Sequence, residues 1–285
     1  MLQTEVQEIW LDVDGMRIHC LTAGESGSSV ILLHGGGIDS ATLSWGEVIV
    51  PLSTHHRVFA PDLPGYGQSS RPDIQYTLDF YVNFVEHLLD ALHLEKVSLV
   101  GLSLGGAIAL ALTLYSPARV GKLVPVDAYG IQDKLAAQRL SYLYVHLPFL
   151  DELSWWLMGR SRSVIRWSLL AGLIYNPERL SDELVDRVYQ TAHEPGAGKA
   201  FISLQRSEVR WSGLRSNFTI RLHEITAPTL IVQGAQDTAV PLAYAQRAHA
   251  LIPNSELYVM QECRHWPQGE KPKEFNRVVG GFLDA

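Results

Sequence analysis

Residues 97–110 read VSLVGLSLGGAIAL. The stretch opens as an apolar run of strand character and closes as one of helix character, with Gly101-Leu102-Ser103-Leu104-Gly105-Gly106 at the join. A single hydroxyl among glycines, where a buried strand gives way to a helix, has the G-x-S-x-G form of a nucleophile elbow. The tight turn lifts the serine clear of the sheet, and the glycines remove side chains that would collide there. The following helix begins at Leu104, so its N-terminal dipole and free N–H groups favour negative charge developing near Ser103. The competing reading is a glycine-rich turn with an incidental serine. The strand-to-helix context on both sides favours the elbow.

Working outward, SVILLH (29–34), RVFAPD (57–62), KVSLVG (96–101), KLVPVD (122–127) and TLIVQG (229–234) are short apolar runs without alternation. Strands buried on both faces read this way, which predicts a parallel sheet covered by helices. Helical stretches fall at 77–92, with Thr77 as N-cap, and at 104–115, 241–251 and 272–283. Before residue 30 the pattern instead alternates on either side of Asp14-Gly15, as in a half-exposed hairpin. Strand–helix alternation breaks once, over 131–225, where Leu, Arg, Trp and Tyr fill helix-like segments. The expected fold is therefore α/β, with 1–130 and 226–285 forming the core and 131–225 a helical cap. Such a cap lies over the strands' carboxyl ends, where ligands bind.

The chain has 285 residues, 47% of them hydrophobic, enough for a sizeable core. A net charge of −7 argues against nucleic acid or an anionic membrane as partner. The N-terminal MLQTEVQEIW carries acids where a secretory signal has a basic patch. No apolar run approaches the roughly 20 residues of a membrane helix. A cytoplasmic protein acting on a small molecule is expected, and assembly into homo-oligomers stays open. The two cysteines, Cys20 and Cys263, match no metal spacing and read as reduced core thiols.

Serine needs a base within hydrogen-bond reach. Among eleven histidines, His265 follows the strand-like ELYVM (256–260) and precedes the terminal helix, which brings it to the same sheet edge as Ser103. His34, opening His34-Gly35-Gly36-Gly37, is the rival, although a histidine there shapes the loop. A third group must hold the imidazole tautomer. Asp237 follows TLIVQG directly, Asp127 ends the preceding strand as runner-up, and Asp62 in its PGYG turn reads as a loop anchor. The order Ser103, Asp237, His265 is that of an α/β-hydrolase. Oxyanion donors would be the backbone N–H groups of Leu104 and Gly36, with Gly37 as alternative. The glycine run lacks the Gly-Lys-Ser/Thr ending of a phosphate loop.

HGGG (34–37), DLPGYGQS (62–69), GLSLGG (101–106), GAQDTAVP (234–241) and RHWPQ (264–268) together resemble the α/β-hydrolase superfamily in order and spacing. The resemblance implies an eight-stranded, mostly parallel sheet with a cap after the sixth strand, and no cofactor or metal. Serine at 103 separates the chain from relatives with aspartate there. Within the superfamily it is similar to carboxylesterases and to the carbon–carbon hydrolases of aromatic ring-fission (meta-cleavage) products. The latter likeness places Arg187 as a cap arginine for a substrate carboxylate and Trp266 as a pocket residue. Arg187 also reads as a surface partner of Asp182 or Glu183. Three positions depart from that pattern: Leu102 before the serine, Ile38-Asp39-Ser40 after the glycines, and Arg264 before the histidine. Arg264 would disturb His265 or point outward. The first expectation is hydrolysis of small apolar carboxylic esters in an apolar pocket suggested by Tyr142, Tyr144, Trp155, Trp156, Trp167 and Tyr175, most of which read from their helical spacing as packing residues and not substrate contacts. The alternative is carbon–carbon hydrolysis of a vinylogous diketo acid, and a third reading is a weakly catalytic small-molecule receptor.

Overall fold

A computed structural model describes residues 5–285, with the Met158 side chain outside that description. Eight strands form one sheet: β1 (Gln7–Val13), β2 (Met16–Ala23), β3 (Ser29–Leu33), β4 (Arg57–Pro61), β5 (Val97–Leu102), β6 (Val120–Val126), β9 (Thr229–Gly234) and β10 (Ser255–Met260). Their spatial order is β1-β2-β4-β3-β5-β6-β9-β10. β2 runs antiparallel to β1 and β4, and the remaining neighbours pair parallel. The hairpin turns at Asp14 and Gly15, whose φ angles of 53° and 75° match the twist of an antiparallel ribbon. Every residue of β3, β5 and β9 is buried, which is why these runs show no alternation.

Helices cover both faces. α3 (Leu78–Ala91), α4 (Leu104–Tyr115) and α10 (Leu242–Leu251) pack on one side of the sheet. The other side carries α1 (Ala41–Trp45), α2 (Ile49–Ser53) and α12 (Pro272–Asp284), with Trp45, Ile49, Phe275 and Val279 fully buried. Thr77 caps α3 by accepting the Phe80 N–H. α4 is buried from Leu104 to Leu114, as an all-apolar helix must be.

Between β6 and β9 the chain forms α5 (Gln138–His146), α6 (Leu150–Gly159), α7 (Arg162–Gly172), α8 (Asp182–Ala192) and α9 (Lys199–Glu208). A small hairpin of β7 (Val209–Arg210) and β8 (Gly213–Leu214) closes this segment, a pairing too short to leave a strand pattern in the sequence. The segment has its own apolar cluster of Ile165, Ile174, Leu180, Leu184, Val185 and Val188. A last short helix, α11 (Pro267–Glu270), follows β10. Among the described residues, no helix is long and apolar enough to cross a membrane.

Candidate active site

Ser103 stands between β5 and α4 with φ 50° and ψ −108°, a strained conformation for a residue with a Cβ. The elbow is pinned by its neighbours. The Ser103 N–H donates to Val126 O at 2.9 Å, and its carbonyl accepts the N–H groups of Ala107 and Tyr129, each at 3.0 Å. The flanking glycines are sterically required. A Cβ at Gly101 would lie 2.2 Å from the Gly105 carbonyl oxygen, and one at Gly105 would lie 2.1 Å from that of Leu33. Strand and helix can approach this closely only without side chains, so the sequence pattern and the turn have one cause.

On the loop after β10, His265 is 13% exposed in its side chain, and its Nδ1 lies 2.7 Å from Oδ2 of the fully buried Asp237 side chain. Asp237 Oδ1 accepts the N–H groups of Ala239 at 2.7 Å and Val240 at 3.0 Å, and the Gln233 amide donates to Oδ2 at 3.2 Å. With this many donors the carboxylate is fixed in place and holds the imidazole with Nε2 free. The two loops are also tied directly: the Gln236 N–H donates to Cys263 O, and the Cys263 N–H to Gln236 Oε1, both at 2.9 Å. Burial pushes the Cys263 thiol well above its usual range and the Cys20 thiol up to about 12, so both are inert core thiols.

Ser103 and His265 line one cavity of about 410 Å³ together with Gly35, Gly36, Gly37 and Leu102. His34 is absent from that wall. Its buried ring bonds the Gly35 carbonyl through Nδ1 at 2.8 Å, while Nε2 accepts the Leu63 N–H at 2.9 Å. Both nitrogens are thus used to hold the glycine loop. Asp62 likewise binds His19, the Ala41 N–H and the Gln68 N–H. Leu104 follows Ser103 as the first residue of α4, where its N–H has no intrahelical partner. Asp127, Asp237 and His265 each bring one donor atom within 4.8 Å of the others. Nδ1 of His265 and Oδ2 of Asp237 are already engaged with one another, which leaves this trio poorly suited to a metal.

The roof decides between readings that the sequence left open. Ile38, Leu43, Trp155, Leu169, Leu173, Leu184, Val188 and Phe201 close the cavity, and Trp266 stands in its wall as expected. Of the six cap aromatics, Trp155 alone reaches it. Trp156 and Trp167 are 51% and 70% exposed, Tyr144 and Tyr175 face solvent, and Tyr142 packs on Trp211. Arg187 is also outside. Because α8 turns Leu184, Val185 and Val188 inward, residue 187 falls on the outer face, where Arg187 lies 3.6 Å from Glu183. Phe201 left no local signal: its ring stands so near Gly36 that a Cβ there would lie 2.8 Å away.

Arg264 neither disturbs His265 nor points outward. Its guanidinium donates to the Leu170 carbonyl in α7, and its N–H donates to Glu270 Oε1 at 2.6 Å. Glu270, buried, accepts the Tyr175 N–H at 2.6 Å and the Asn176 N–H at 3.2 Å through Oε2. The histidine loop is therefore fastened to the roof by both residues.

An elbow serine, a carboxylate-held histidine and a glycine loop at one edge of this sheet define an α/β-hydrolase. A family model described as the alpha/beta hydrolase fold matches residues 29–272, and the chain belongs to that family of enzymes. The chain is 34% identical over 263 residues, covering 91% of itself and 90% of the relative, to a 2-hydroxy-6-oxo-2,4-heptadienoate hydrolase of Pseudomonas putida F1. A 2-hydroxymuconate semialdehyde hydrolase of Pseudomonas sp. strain CF600 is 30% identical over 272 residues, 94% of this chain and 91% of that one. Among solved structures, a meta-cleavage product hydrolase of Pseudomonas fluorescens IP01 superposes with a TM-score of 0.82 at 30% identity, over 100% of this chain and 99% of the other.

Proposed function

We propose that the chain hydrolyses a carbon–carbon bond next to a ketone through Ser103, with a vinylogous diketo acid of the ring-fission type as substrate. The likeness to two such hydrolases over nine-tenths of the chain carries this reading, and it reverses the order in which the sequence alone places esters and carbon–carbon substrates. His265 takes the Ser103 proton as Oγ attacks the carbonyl carbon, and Asp237 stabilises the imidazolium. The N–H groups of Leu104 and Gly36, or Gly37, receive the oxyanion. Collapse of the tetrahedral adduct breaks the bond to the α-carbon. Conjugation to the second carbonyl spreads the departing electron pair, and His265 returns its proton to that carbon. Water then attacks the acyl-enzyme, losing a proton to His265, which passes it back to Ser103.

One observation favours a second reading, hydrolysis of neutral carboxylic esters. Among the described residues no arginine or lysine lines the cavity, whose walls are mostly aliphatic and aromatic. A short p-nitrophenyl ester and a ring-fission diketo acid, assayed in parallel with Ser103→Ala as control, separate the two. A kcat/KM preference for the diketo acid supports carbon–carbon hydrolysis, and ester turnover alone moves the assignment to an esterase. Silence on both, with Ser103 unreactive, returns the receptor reading.

A further inference from the structure

A second carboxyl lies beside the His265–Asp237 pair, at the end of β6. Asp127 is fully buried, and its backbone takes φ 42°, in the left-handed region that a residue with a Cβ seldom adopts. Its N–H donates to Val232 O at 3.0 Å and its Oδ1 accepts the Gly234 N–H at 2.8 Å, so it grips the strand end from which the Asp237 loop departs. The other oxygen, Oδ2, is buried without a hydrogen-bond partner. One carboxylate oxygen of Asp127 lies within 4.8 Å both of a ring nitrogen of His265 and of a carboxylate oxygen of Asp237.

Two carboxyl groups this close in a dry site do not both ionise. The donors decide which of them keeps the charge. Asp237 faces two N–H groups, the Gln233 amide and His265, whereas Asp127 receives one N–H. Charge therefore resides on Asp237 and the proton on Asp127. Burial first, and the Asp237 charge second, hold the Asp127 carboxyl well above the ordinary carboxylate range. Glu270, from α11, acts in the same direction, and the Cys263 thiol faces the cluster from the His265 loop.

We propose that Asp127 is a reserve acid, a neutral carboxyl while Asp237 is charged and the group that replaces it opposite His265 once that charge is removed. Without Asp237, Asp127 releases its proton to water, and its free oxygen accepts the Nδ1–H of His265. The inference rests on His265 as base and Asp237 as its partner. Asp127 is idle in the intact protein and becomes a positioning residue, acting through the histidine, only when the Asp237 charge is gone.

The test needs no knowledge of the substrate, because a fluorophosphonate probe reports how strongly Ser103 is activated. Labelling rates are followed by intact mass from pH 5.5 to 9 in the wild type, Asp127→Asn, Asp237→Ala and the double variant. Asp127→Asn should label within about threefold of wild type with its acid limb unmoved, since one neutral group replaces another. Asp237→Ala should lose about 10–10²-fold, and the double variant about 10⁴-fold, the scale of losing a triad acid without a substitute. The reserve role is overturned if Asp237→Ala is as slow as the double variant. A clear shift of the acid limb in Asp127→Asn also overturns it, since Asp127 would then be charged at rest. Labelling that survives Ser103→Ala or His265→Ala, or a wild type that does not label, overturns the underlying reading instead. If Asp237→Ala does not fold, Asp237→Ser keeps an acceptor for the Ala239 and Val240 N–H groups and supplies the same comparison.

Discussion

Ser103, Asp237 and His265 sit on turns whose backbone is fixed by neighbouring strands and loops, whereas Leu169, Leu173, Leu184 and Val188 reach the same cavity from helices packed mainly through side chains. The floor is set by hydrogen bonds and close backbone approach, which tolerate almost no displacement. Helix register and apolar contact set the roof, and they tolerate repacking. One cavity thus joins a chemically fixed half to an adjustable half. Chemistry should be sensitive to change in the floor, and substrate choice to change in the roof.

The largest break should come from Ser103→Ala. Turnover of any substrate should fall by about 10⁴-fold or more while thermal unfolding stays within a few degrees of wild type, because in the proposed mechanism the hydroxyl serves catalysis and not packing. Retained turnover in the variant would remove the elbow from the mechanism.

Next in size is a pair of glycine substitutions, one in each half. Gly105→Ala puts a methyl 2.1 Å from the Leu33 carbonyl oxygen and should cost about 3 kcal/mol or more in urea unfolding. Gly172→Ala, in the cap, meets nothing within 4 Å and should leave stability unchanged or raise it by about 0.5–1 kcal/mol. Equal costs at the two positions would end the contrast between floor and roof.

That contrast also explains what the sequence revealed. The elbow, the glycine loop and the loops bearing Asp237 and His265 were legible because each needs particular residue types over a few positions. The all-buried strands were legible because burial on both faces leaves a continuous apolar run. At Arg187 two readings stood side by side, and the surface pairing with Glu183 is the one found; DELVDRVY is amphipathic, and which face turns inward depends on what lies beneath α8. Which of the cap aromatics would reach the cavity was open for the same reason: Trp155 and Trp156 are adjacent, yet a helix turns only one of them inward. Phe201 and the reach of Arg264 to Leu170 depend on elements far apart in the chain, and no short pattern encodes them.

Arg264→Ala sharpens the comparison at the junction of the two halves. Losing its donor to Leu170 frees one link between the His265 loop and α7, while the Asp237–His265 bond is untouched. KM should rise about 3–10-fold with kcat changed less, the pattern expected when binding is loosened and the chemical apparatus is kept. A fall in kcat alone would mean that Arg264 serves the histidine and not the roof.

The smallest expected effect concerns pH, and it too should reside in the floor. Ion pairs of the cap such as Arg166–Asp182 and Arg187–Glu183 are exposed and should contribute little. Beneath the glycine loop, His19 and Asp62 are buried at 2.8 Å from one another. The Asp62 hydrogen bond raises the His19 imidazole above its ordinary value of 6.5, against the opposing effect of burial. Burial alone would push Asp62 up, but the His19 hydrogen bond and the Gln68 and Ala41 N–H groups hold it below its ordinary value. A raised histidine contributes fully below its unfolded value and loses that contribution as pH rises through the folded one. A lowered carboxyl contributes above its unfolded value and loses it as pH falls. The pair should therefore stabilise the fold from about pH 4 to near neutrality. Its pH-dependent worth there should be about 1 kcal/mol, the margin by which a hydrogen bond to a charged group exceeds a neutral one. Urea unfolding of wild type and His19→Gln should differ by that amount at pH 5.5 and converge by pH 8.5. A difference that stays constant over this range would mean that His19 acts as a neutral hydrogen-bonding group. The floor would then owe its rigidity to geometry alone and not to charge.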